Sequence, residues 1–137
     1  MFGAGRSMSL RSDVSVEQVM RSPPLTALFS DTVSTVVDRM LTFDIGAVVV
    51  ESGGQPVGII TEKDILQRVV KAGRDPSRTL ARDVMTSPIV GIEVGKSIKD
   101  ALKLMREKNV RRLGVTRAGR LIGIVTERRV LDALVLS

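Results

Sequence analysis

The sequence predicts an α+β fold built from two copies of one unit, each with the order helix–β–α–β–β–α. Two observations lead to this prediction. Stretches with helical apolar periodicity alternate with short β-branched runs, and glycine, proline or polar residues separate them. The whole pattern also returns at a constant offset of 65 residues, with 13 identities between residues 14–72 and residues 79–137 and no gap. We therefore interpret the 137-residue chain as an internal duplication.

Each unit begins with one helical turn and a short extended segment. Ser15 and Gln18 form the Ser-x-x-Gln pattern of a capping box, which predicts a helix start. Pro23 and Pro88 then end the two helical turns, because proline has no amide donor to continue a helix. The predicted turns cover residues 15–20 and about 80–85, and the extended segments cover residues 25–28 and 89–94.

An amphipathic helix follows in each unit. Apolar residues recur at helical spacing in both copies, and Ser97 is placed to cap the second of these helices. The predicted buried faces consist of Val33, Val36, Val37, Met40 and Leu41 in the first copy, and of Ile98, Ala101, Leu102 and Met105 in the second.

A hairpin and a closing helix complete each unit. The predicted strands cover residues 47–50 and 57–61 in the first copy, and residues 113–116 and 121–126 in the second. The closing helices run over residues 62–72, before Gly73, and from Glu127 to the C-terminus. The predicted organisation is a flexible leader (1–13), repeat 1 (14–72), a polar linker (73–78) and repeat 2 (79–137).

One copy alone is too small to bury both faces of a three-stranded sheet. We therefore expect the two copies to pack sheet to sheet with pseudo-twofold symmetry and to share an aliphatic core. Such packing would leave clefts where strand ends and helix N-termini meet. Helix N-termini that face a cleft favour anions through their free N–H groups and the helix dipole.

Composition excludes several classes of protein. The chain has no Cys and no His, which excludes disulfides, zinc sites built on thiolate or imidazole, and catalysis by the commonest general base. We therefore predict that the chain is not an enzyme and needs no catalytic cofactor. Its longest apolar run, residues 45–50, is far too short to cross a bilayer, and its N-terminus lacks a signal-peptide pattern. These features predict a cytoplasmic protein without a membrane partner.

Two motifs carry a family resemblance. Val19-Met20 followed by Ser22-Pro23, and the stretch 58–65 (Gly-Ile-Ile-Thr-Glu-Lys-Asp-Ile), resemble the CBS domain, and both return in the second copy. The duplication resembles the tandem CBS pair, or Bateman module, of the stand-alone type. The resemblance implies a regulatory module that binds AMP, ADP, ATP, S-adenosylmethionine or NAD in the cleft between the repeats. It also implies a disc-shaped homodimer of two modules that signals to an unknown effector protein.

The resemblance assigns the ribose to Asp64, with Thr61 as the helix cap that also meets ribose or phosphate. A carboxylate suits this role because it only accepts hydrogen bonds and can take both hydroxyls of a diol. The alternative is that the stretch from Thr61 to Asp64 is only a capping box, and the two roles are compatible. The second copy has Arg129 at the position of Asp64, so we expect one competent nucleotide site per chain.

The remaining ligand contacts follow from the same resemblance. The resemblance assigns base recognition to the backbone after the Ser-Pro turn and to apolar side chains around the base. The alternative is that these apolar side chains are ordinary residues of the core. Phosphate recognition falls on basic residues at the start of a strand. Alternation puts Arg111 and Arg112 on opposite faces, so only one can face a given cleft, and we favour Arg112. An ordinary pair of solvated surface charges is the alternative for these arginines. The predicted base contacts are Pro24, Leu25, Thr26, Ile45 and Ala47, and the predicted phosphate contacts are Arg112, Arg111, Thr126 and Arg129.

Charge is shared unevenly between the copies. Residues 14–72 carry a net charge of −2, whereas residues 79–137 carry +6. This asymmetry supports an alternative function as a nucleic-acid-binding or protein-interaction scaffold with a vestigial nucleotide cleft. We consider nucleic acid the less favoured ligand, because the chain has no Tyr or Trp to stack on bases and no known DNA-reading motif.

Overall fold

The structure, a computed structural model, describes residues 14–135. Within this range it has six helices and two three-stranded sheets, so the predicted α+β class and the order of elements are confirmed. The predicted leader, residues 1–13, lies outside the described residues. None of the helices found between residues 14 and 135 has the length and apolar character needed to cross a membrane.

The elements follow the predicted order closely. The helices are α1 (Val16–Val19), α2 (Val33–Phe43), α3 (Glu62–Ile65), α4 (Ala81–Val84), α5 (Ile98–Lys108) and α6 (Glu127–Val135). The strands are β1 (Thr26–Leu28), β2 (Ala47–Ser52), β3 (Gln55–Thr61), β4 (Gly91–Glu93), β5 (Arg112–Arg117) and β6 (Arg120–Thr126). Every strand of the second copy begins and ends 65 residues after its counterpart in the first.

The two sheets have the same topology. In the first, β1 pairs in parallel with β2, and β2 pairs antiparallel with β3. In the second, β4, β5 and β6 repeat this arrangement. Even the register shift is duplicated, since it falls between Val50 and Glu51 in β2 and between Val115 and Thr116 in β5. The structure therefore confirms the internal repeat.

The short first helices are exchanged between the sheets. The chain divides into two compact units, one of residues 24–89 and the other of the segment up to Pro23 together with everything from Val90 onward. We call them the first-sheet unit and the second-sheet unit. The first-sheet unit contains α4 from the second repeat, and the second-sheet unit contains α1 from the first repeat. The compact units therefore differ in composition from the sequence repeats.

Backbone bridges attach each exchanged segment to its sheet. In the second-sheet unit, Arg21 and Ile124 donate to each other's carbonyls at 2.8 and 3.0 Å. In the first-sheet unit, Thr86 and Ile59 do the same at 2.8 and 2.9 Å. The serine of each Ser-Pro motif adds a hydroxyl bond, from Ser22 to the Ile122 carbonyl and from Ser87 to the Val57 carbonyl. The repeated Ser-Pro motif thus has a structural role in both units.

Each unit has its own cluster of buried aliphatic residues. In the second-sheet unit, Val16 and Val19 of α1 belong to the same cluster as Met105 and Leu113. In the first-sheet unit, Ala81 and Val84 of α4 belong to the cluster of residues such as Val33, Val36, Met40 and Ile60. The exchanged helices therefore contribute apolar surface to the cores of both units.

Helix starts and ends follow the predicted chemistry. Ser15 N–H donates to Gln18 Oε1 at 2.9 Å, and Asp100 N–H donates to Ser97 Oγ at 3.1 Å, so both predicted caps are present. Hydrogen bonds from the Ser97 backbone and side chain lower the pKa of Asp100 below its usual value. Asp44 and Asn109 end α2 and α5 in the left-handed conformation, which these two residue types tolerate better than most.

Two details of the prediction were wrong. Leu41 was expected on the buried face of α2, but its side chain is 75% exposed because it lies beyond the edge of that face. The closing helix was expected to run regularly over residues 62–72. Instead, α3 ends at Ile65 and continues as a π-helical segment, Leu66–Val70, in which the Lys71 N–H donates to the Leu66 carbonyl at 2.8 Å. In this segment Val69 is fully buried, whereas Leu66 and Val70 are exposed.

Candidate functional site

The predicted ribose and base contacts lie at one end of the first sheet. Because β1 and β2 are parallel and β3 is antiparallel, the starts of β1 and β2 meet the end of β3. Ala47 and Thr61 are direct partners in this ladder, and α3 begins immediately afterwards. The fold therefore gathers the predicted residues Pro24, Leu25, Thr26, Ile45, Ala47, Thr61 and Asp64 at this end of the first-sheet unit.

Asp64 belongs to the capping box that the sequence pattern offered as an alternative role. Thr61 N–H donates to Asp64 Oδ2 at 2.9 Å, and Asp64 N–H donates to Thr61 Oγ1 at 3.3 Å. The Thr61 hydroxyl also lies 3.1 Å from Asp64 Oδ2. The capping box is confirmed, whereas the role of Asp64 in binding ribose stays a prediction.

The second oxygen of Asp64 contacts a residue that follows α4. The Thr86 hydroxyl donates to Asp64 Oδ1 at 3.1 Å, and Arg68 Nε lies 3.9 Å from the same oxygen. Asp64 is only 7% exposed and is the one buried acidic residue among those that the structure describes. An ionised carboxylate accepts about four hydrogen bonds. The three close donors from Thr61 and Thr86 leave room for about one more at this group.

Arg68 was missed by the sequence analysis. One of its terminal nitrogens donates to the carbonyls of Val84 and Met85, at 3.1 and 2.8 Å, where α4 ends. A cation at the end of a helix satisfies carbonyls that have no partner within the helix. The i, i+4 spacing of Asp64 and Arg68 on a predicted helix was the sequence signal for this pair.

Arg129 performs the corresponding task in the second-sheet unit. Its Nε donates to the Val19 carbonyl at 2.8 Å, where α1 ends. The residue that matches Arg68 in the second copy is Ala133. The arginine that bonds the carbonyl at the helix end is instead Arg129, one helical turn earlier, at the position that matches Asp64. A phosphate contact by Arg129 stays a prediction, but one of its nitrogens is already bonded to backbone.

This contact predicts the effect of removing the side chain. We expect Arg129→Ala to lower the free energy of unfolding by about 1 kcal/mol, because the Val19 carbonyl loses its charged donor. Arg128→Ala is the matched control, since Arg128 is exposed and has neither a salt bridge nor a side-chain hydrogen bond within residues 14–135. Denaturant unfolding of both variants measures the difference. Equal stability of the two variants would contradict a structural role for Arg129.

The predicted phosphate contacts also lie together, at the matching end of the second sheet. Arg112 is the ladder partner of Thr126, and the Arg111 carbonyl accepts a bond from Glu127 N–H at 2.9 Å. Thr126 Oγ1 accepts from Arg129 N–H at 3.3 Å, so its hydroxyl caps α6. All four predicted residues therefore lie around the N-terminus of a nine-residue helix.

The two neighbouring arginines differ in environment. Arg111 is exposed, whereas Arg112 is half-buried. Arg112 Nε is fully buried and has no hydrogen-bond partner among the residues that the structure describes. A buried N–H without an acceptor is costly. This nitrogen is therefore the clearest unsatisfied donor of the candidate site.

Two of the predicted base contacts belong to the interior of the first-sheet unit. Ala47 is buried, and Leu25 packs against the aliphatic cluster of the first-sheet unit. Ile45 lines an open pocket of about 440 Å³ between α2 and α3, together with Asp44 and Glu62. Within residues 14–135, no group of three acidic side chains is placed to hold a metal ion. Base recognition by these residues stays a prediction.

Comparison with known proteins adds to this geometry. The family model of the CBS domain matches residues 16–71 and 81–136. An uncharacterized protein of Methanopyrus kandleri is 38% identical over 121 residues, which is 87% of this chain and 62% of that protein. The chain thus spans somewhat less than two thirds of that relative.

Solved structures show the same fold. A protein with CBS domains from Burkholderia ambifaria aligns with a TM-score of 0.77 and 28% identity over 82% of both chains. A hexameric CBS-CP12 protein from bloom-forming cyanobacteria aligns with a TM-score of 0.80 and 26% identity, over 86% of this chain and 66% of that one. The family matches cover most of the chain, and each coincides with one copy of the duplication. The chain belongs to the CBS-domain family of regulatory modules and contains two CBS domains in tandem.

Proposed function

We propose that the chain is a regulatory module that binds an adenine nucleotide (AMP, ADP or ATP). S-adenosylmethionine and NAD belong to the same adenosine-containing class and are the other candidates. In this proposal Asp64 accepts hydrogen bonds from the ribose hydroxyls, and Arg112 donates to phosphoryl oxygens. Binding then changes how the module interacts with a partner protein.

The observation that carries the proposal is the unsatisfied Arg112 Nε. A phosphoryl oxygen is a strong acceptor for a guanidinium group, and it would relieve the cost of this donor once the half-buried Arg112 side chain turns towards the ligand. Thr126, the ladder partner of Arg112, precedes the N-terminus of α6, where the helix dipole also favours an anion. Arg112 and the N-terminus of α6, both at this end of the second sheet, thus support binding of an anion.

Asp64 supports the ribose part of the proposal. Its carboxylate is held in one orientation by Thr61 and Thr86, so little conformational entropy would be lost when a ligand binds. A ribose hydroxyl could use the remaining acceptor capacity or replace the Thr86 hydroxyl. Replacement would loosen the contact between α3 and the segment after α4. A ligand that favours the loosened state would shift the population towards it, which provides a signal.

We also propose that the chain self-associates. The CBS-CP12 relative with a matching fold is hexameric, which supports self-association in modules of this type. Exposed apolar side chains, among them Leu41, Leu66 and Val70, supply a surface for it. The regulated partner is a further protein of unknown identity.

Thermal unfolding with and without nucleotide tests the proposal. A ligand at a hundredfold excess over its Kd stabilises by about 2.7 kcal/mol, which for a chain of this size raises Tm by roughly 10 °C. We expect Arg112→Gln to reduce this shift to about a third, because the loss of a charge-assisted hydrogen bond weakens binding by more than tenfold. Arg120→Gln is the control and should keep the full shift, because Arg120 is exposed and lies at the opposite end of β6 from Thr126. No shift with any adenosine ligand, or an equal shift in both variants, would contradict the proposal.

The alternative function is a nucleic-acid-binding scaffold. Residues 90–135 carry 11 basic and 5 acidic side chains, which favours a polyanionic partner. A strongly salt-dependent affinity for RNA or DNA, together with no thermal shift from any nucleotide, would support this alternative. Weak binding that does not depend on salt would exclude it.

A further inference from the structure

The carboxylate of Asp64 lies beside the attachment of α4 to the first sheet. Its Oδ1 atom accepts a hydrogen bond from the Thr86 hydroxyl at 3.1 Å, and Thr86 also forms the backbone bridge to Ile59. The next residue, Ser87, donates from its hydroxyl to the Val57 carbonyl at 2.7 Å. The segment after α4 is therefore held to β3 by bonds to backbone, and to α3 by one side-chain bond to a buried carboxylate.

Arg68 holds the same end of α4. Its Nη1 atom donates to the carbonyls of Val84 and Met85, whereas its Nε atom lies 3.9 Å from Asp64 Oδ1, too far for a hydrogen bond. The guanidinium group thus has two sets of acceptors within reach, the helix carbonyls that it bonds and a carboxylate that it does not. Arg68 also lies in the π-helical segment Leu66–Val70, and such turns are frequent at functional sites.

The start of α4 is fixed separately from its end. Ala81 N–H donates to the Asp31 carbonyl at 2.8 Å, and Arg82 N–H donates to the Phe29 carbonyl at 3.1 Å. These bonds join α4 to the segment after β1 and do not involve the carboxylate of Asp64. A change at this carboxylate can therefore release the end of α4 while its start stays attached.

The second-sheet unit lacks this arrangement. At the positions that match Asp64, Arg68 and Thr86 it has Arg129, Ala133 and Arg21. Arg129 Nε donates directly to the Val19 carbonyl, where α1 ends. This contact joins a guanidinium group to a backbone carbonyl and involves no carboxylate. The attachment of α4 thus contains an acceptor for a ligand hydroxyl, and the corresponding attachment of α1 does not.

We propose that a ligand hydroxyl at Asp64 replaces the Thr86 hydroxyl and thereby releases the end of α4, with Arg68 as the residue that couples the two events. The proposal rests on the nucleotide binding proposed above and specifies its output. In the attached state Arg68 bonds the carbonyls at the end of α4. In the released state these carbonyls move away, and the guanidinium group closes the gap to the carboxylate. The released segment, residues 84–88, leads along the chain into the second-sheet unit, which resumes at Val90.

Two states are possible because the buried carboxylate has partners in both. In the attached state Asp64 Oδ1 accepts from Thr86, and in the released state it accepts from the ligand and lies closer to Arg68. A buried carboxylate without such partners would be costly. The ligand favours the released state because Oδ1 is free to accept from it only there. A ligand shifts a population only through such a difference in affinity.

Hydrogen exchange without nucleotide tests the attachment itself. We expect Thr86→Val and Arg68→Gln each to lower the protection factors of the Ile59 and Thr86 amides about tenfold, because each removes a bond to or from a charged group. The Arg21 and Ile124 amides form the matching bridge of the second-sheet unit and should not change. Arg68→Lys keeps the charge and should restore part of the protection. Unchanged protection in either of the first two variants would overturn the proposal, whether or not a nucleotide binds.

Exchange with saturating ATP tests the release. In the wild type we expect the protection of the Ile59 and Thr86 amides to fall about fivefold, with no change at Arg21 and Ile124. In Arg68→Gln the end of α4 is already released, so ATP should add little further change. ATP binding with unchanged protection in the wild type would overturn the release but leave the sensor function standing. If no nucleotide binds the wild type, the sensor function and the ligand-driven release both fail.

The affinity of Thr86→Val for ATP gives a readout that a purely structural role would not move. Because ligand and attachment oppose each other, removing the competing hydroxyl should tighten binding by about threefold or more in isothermal titration. Thr42→Val is the matched control, since Thr42 is exposed and its hydroxyl has no hydrogen-bond partner within residues 14–135. Its affinity should equal that of the wild type. Equal or weaker binding by Thr86→Val would overturn the proposal.

Discussion

Replacing Gly123 with alanine is expected to lower the free energy of unfolding by about 3 kcal/mol, the largest loss of stability among the substitutions considered. A Cβ atom at this position would lie 2.8 Å from the Arg21 carbonyl oxygen and 2.8 Å from Met20 Sδ. The sulfur could move, but the carbonyl belongs to the backbone bridge between Arg21 and Ile124. The substitution would therefore separate the exchanged segment of α1 from the second sheet.

Gly91→Ala is the matched control for this substitution. Gly91 also lies in a strand, but its nearest atoms would be 3.7 Å from a new Cβ, which is ordinary contact. Alanine there should change stability by less than about 1 kcal/mol, or even stabilise, because it reduces the freedom of the unfolded chain. Guanidinium unfolding measures both variants. A Gly123→Ala variant as stable as Gly91→Ala would show that the α1 segment does not pack against β6 as described.

Asp64→Ala is expected to have two separate effects. Stability should fall by about 2 kcal/mol, because Thr61 N–H and the Thr86 hydroxyl lose their acceptor. The nucleotide-induced rise in Tm should disappear, because the proposed ribose acceptor is gone. Differential scanning fluorimetry with and without ATP measures both quantities in the same samples.

Asp64→Asn separates the two effects. Its amide oxygen can still accept from Thr61 N–H, so most of the cap survives and the loss of stability should be about 1 kcal/mol or less. The amide has only one acceptor oxygen and no charge, so we expect the nucleotide response to be largely lost. A full response in Asp64→Asn would exclude the carboxylate as the ribose acceptor, even if nucleotide binds elsewhere.

The fold could be predicted in detail because the sequence contains two copies of the same pattern. Each amphipathic helix and each hairpin appears in two copies, so an ambiguous residue in one is resolved by its counterpart in the other. The strands consequently begin and end within a few residues of the predicted bounds. The caps at Ser15 and Ser97 were predictable because they depend only on residues three positions apart.

The exchange of the short helices could not be predicted in this way. Periodicity shows that a helix has an apolar face, but it does not show which sheet covers that face. The contacts that decide it, between Arg21 and Ile124 and between Thr86 and Ile59, join distant parts of the sequence. Gly58 and Gly123 were the available signal, since both occupy strand positions where a close backbone approach excludes a side chain.

The candidate site was predictable in part. The Thr61 and Asp64 pattern correctly indicated a capping box. Strand alternation does not apply to Arg111, because β5 begins at Arg112. Arg68 and Thr86 were missed because their partners are a helix end and a carboxylate that only the fold brings close. The contact of Arg129 with the Val19 carbonyl was missed for the same reason.

Isothermal titration of the wild-type chain with ATP, ADP and AMP tests the central claim most directly. We expect saturable binding of at least one of them, with one site per chain. We also expect the affinity to be at least tenfold weaker in Arg112→Gln and Asp64→Asn but unchanged in Arg120→Gln, at the far end of β6. No saturable heat with any of the three nucleotides, or equal affinity in all three variants, would contradict it.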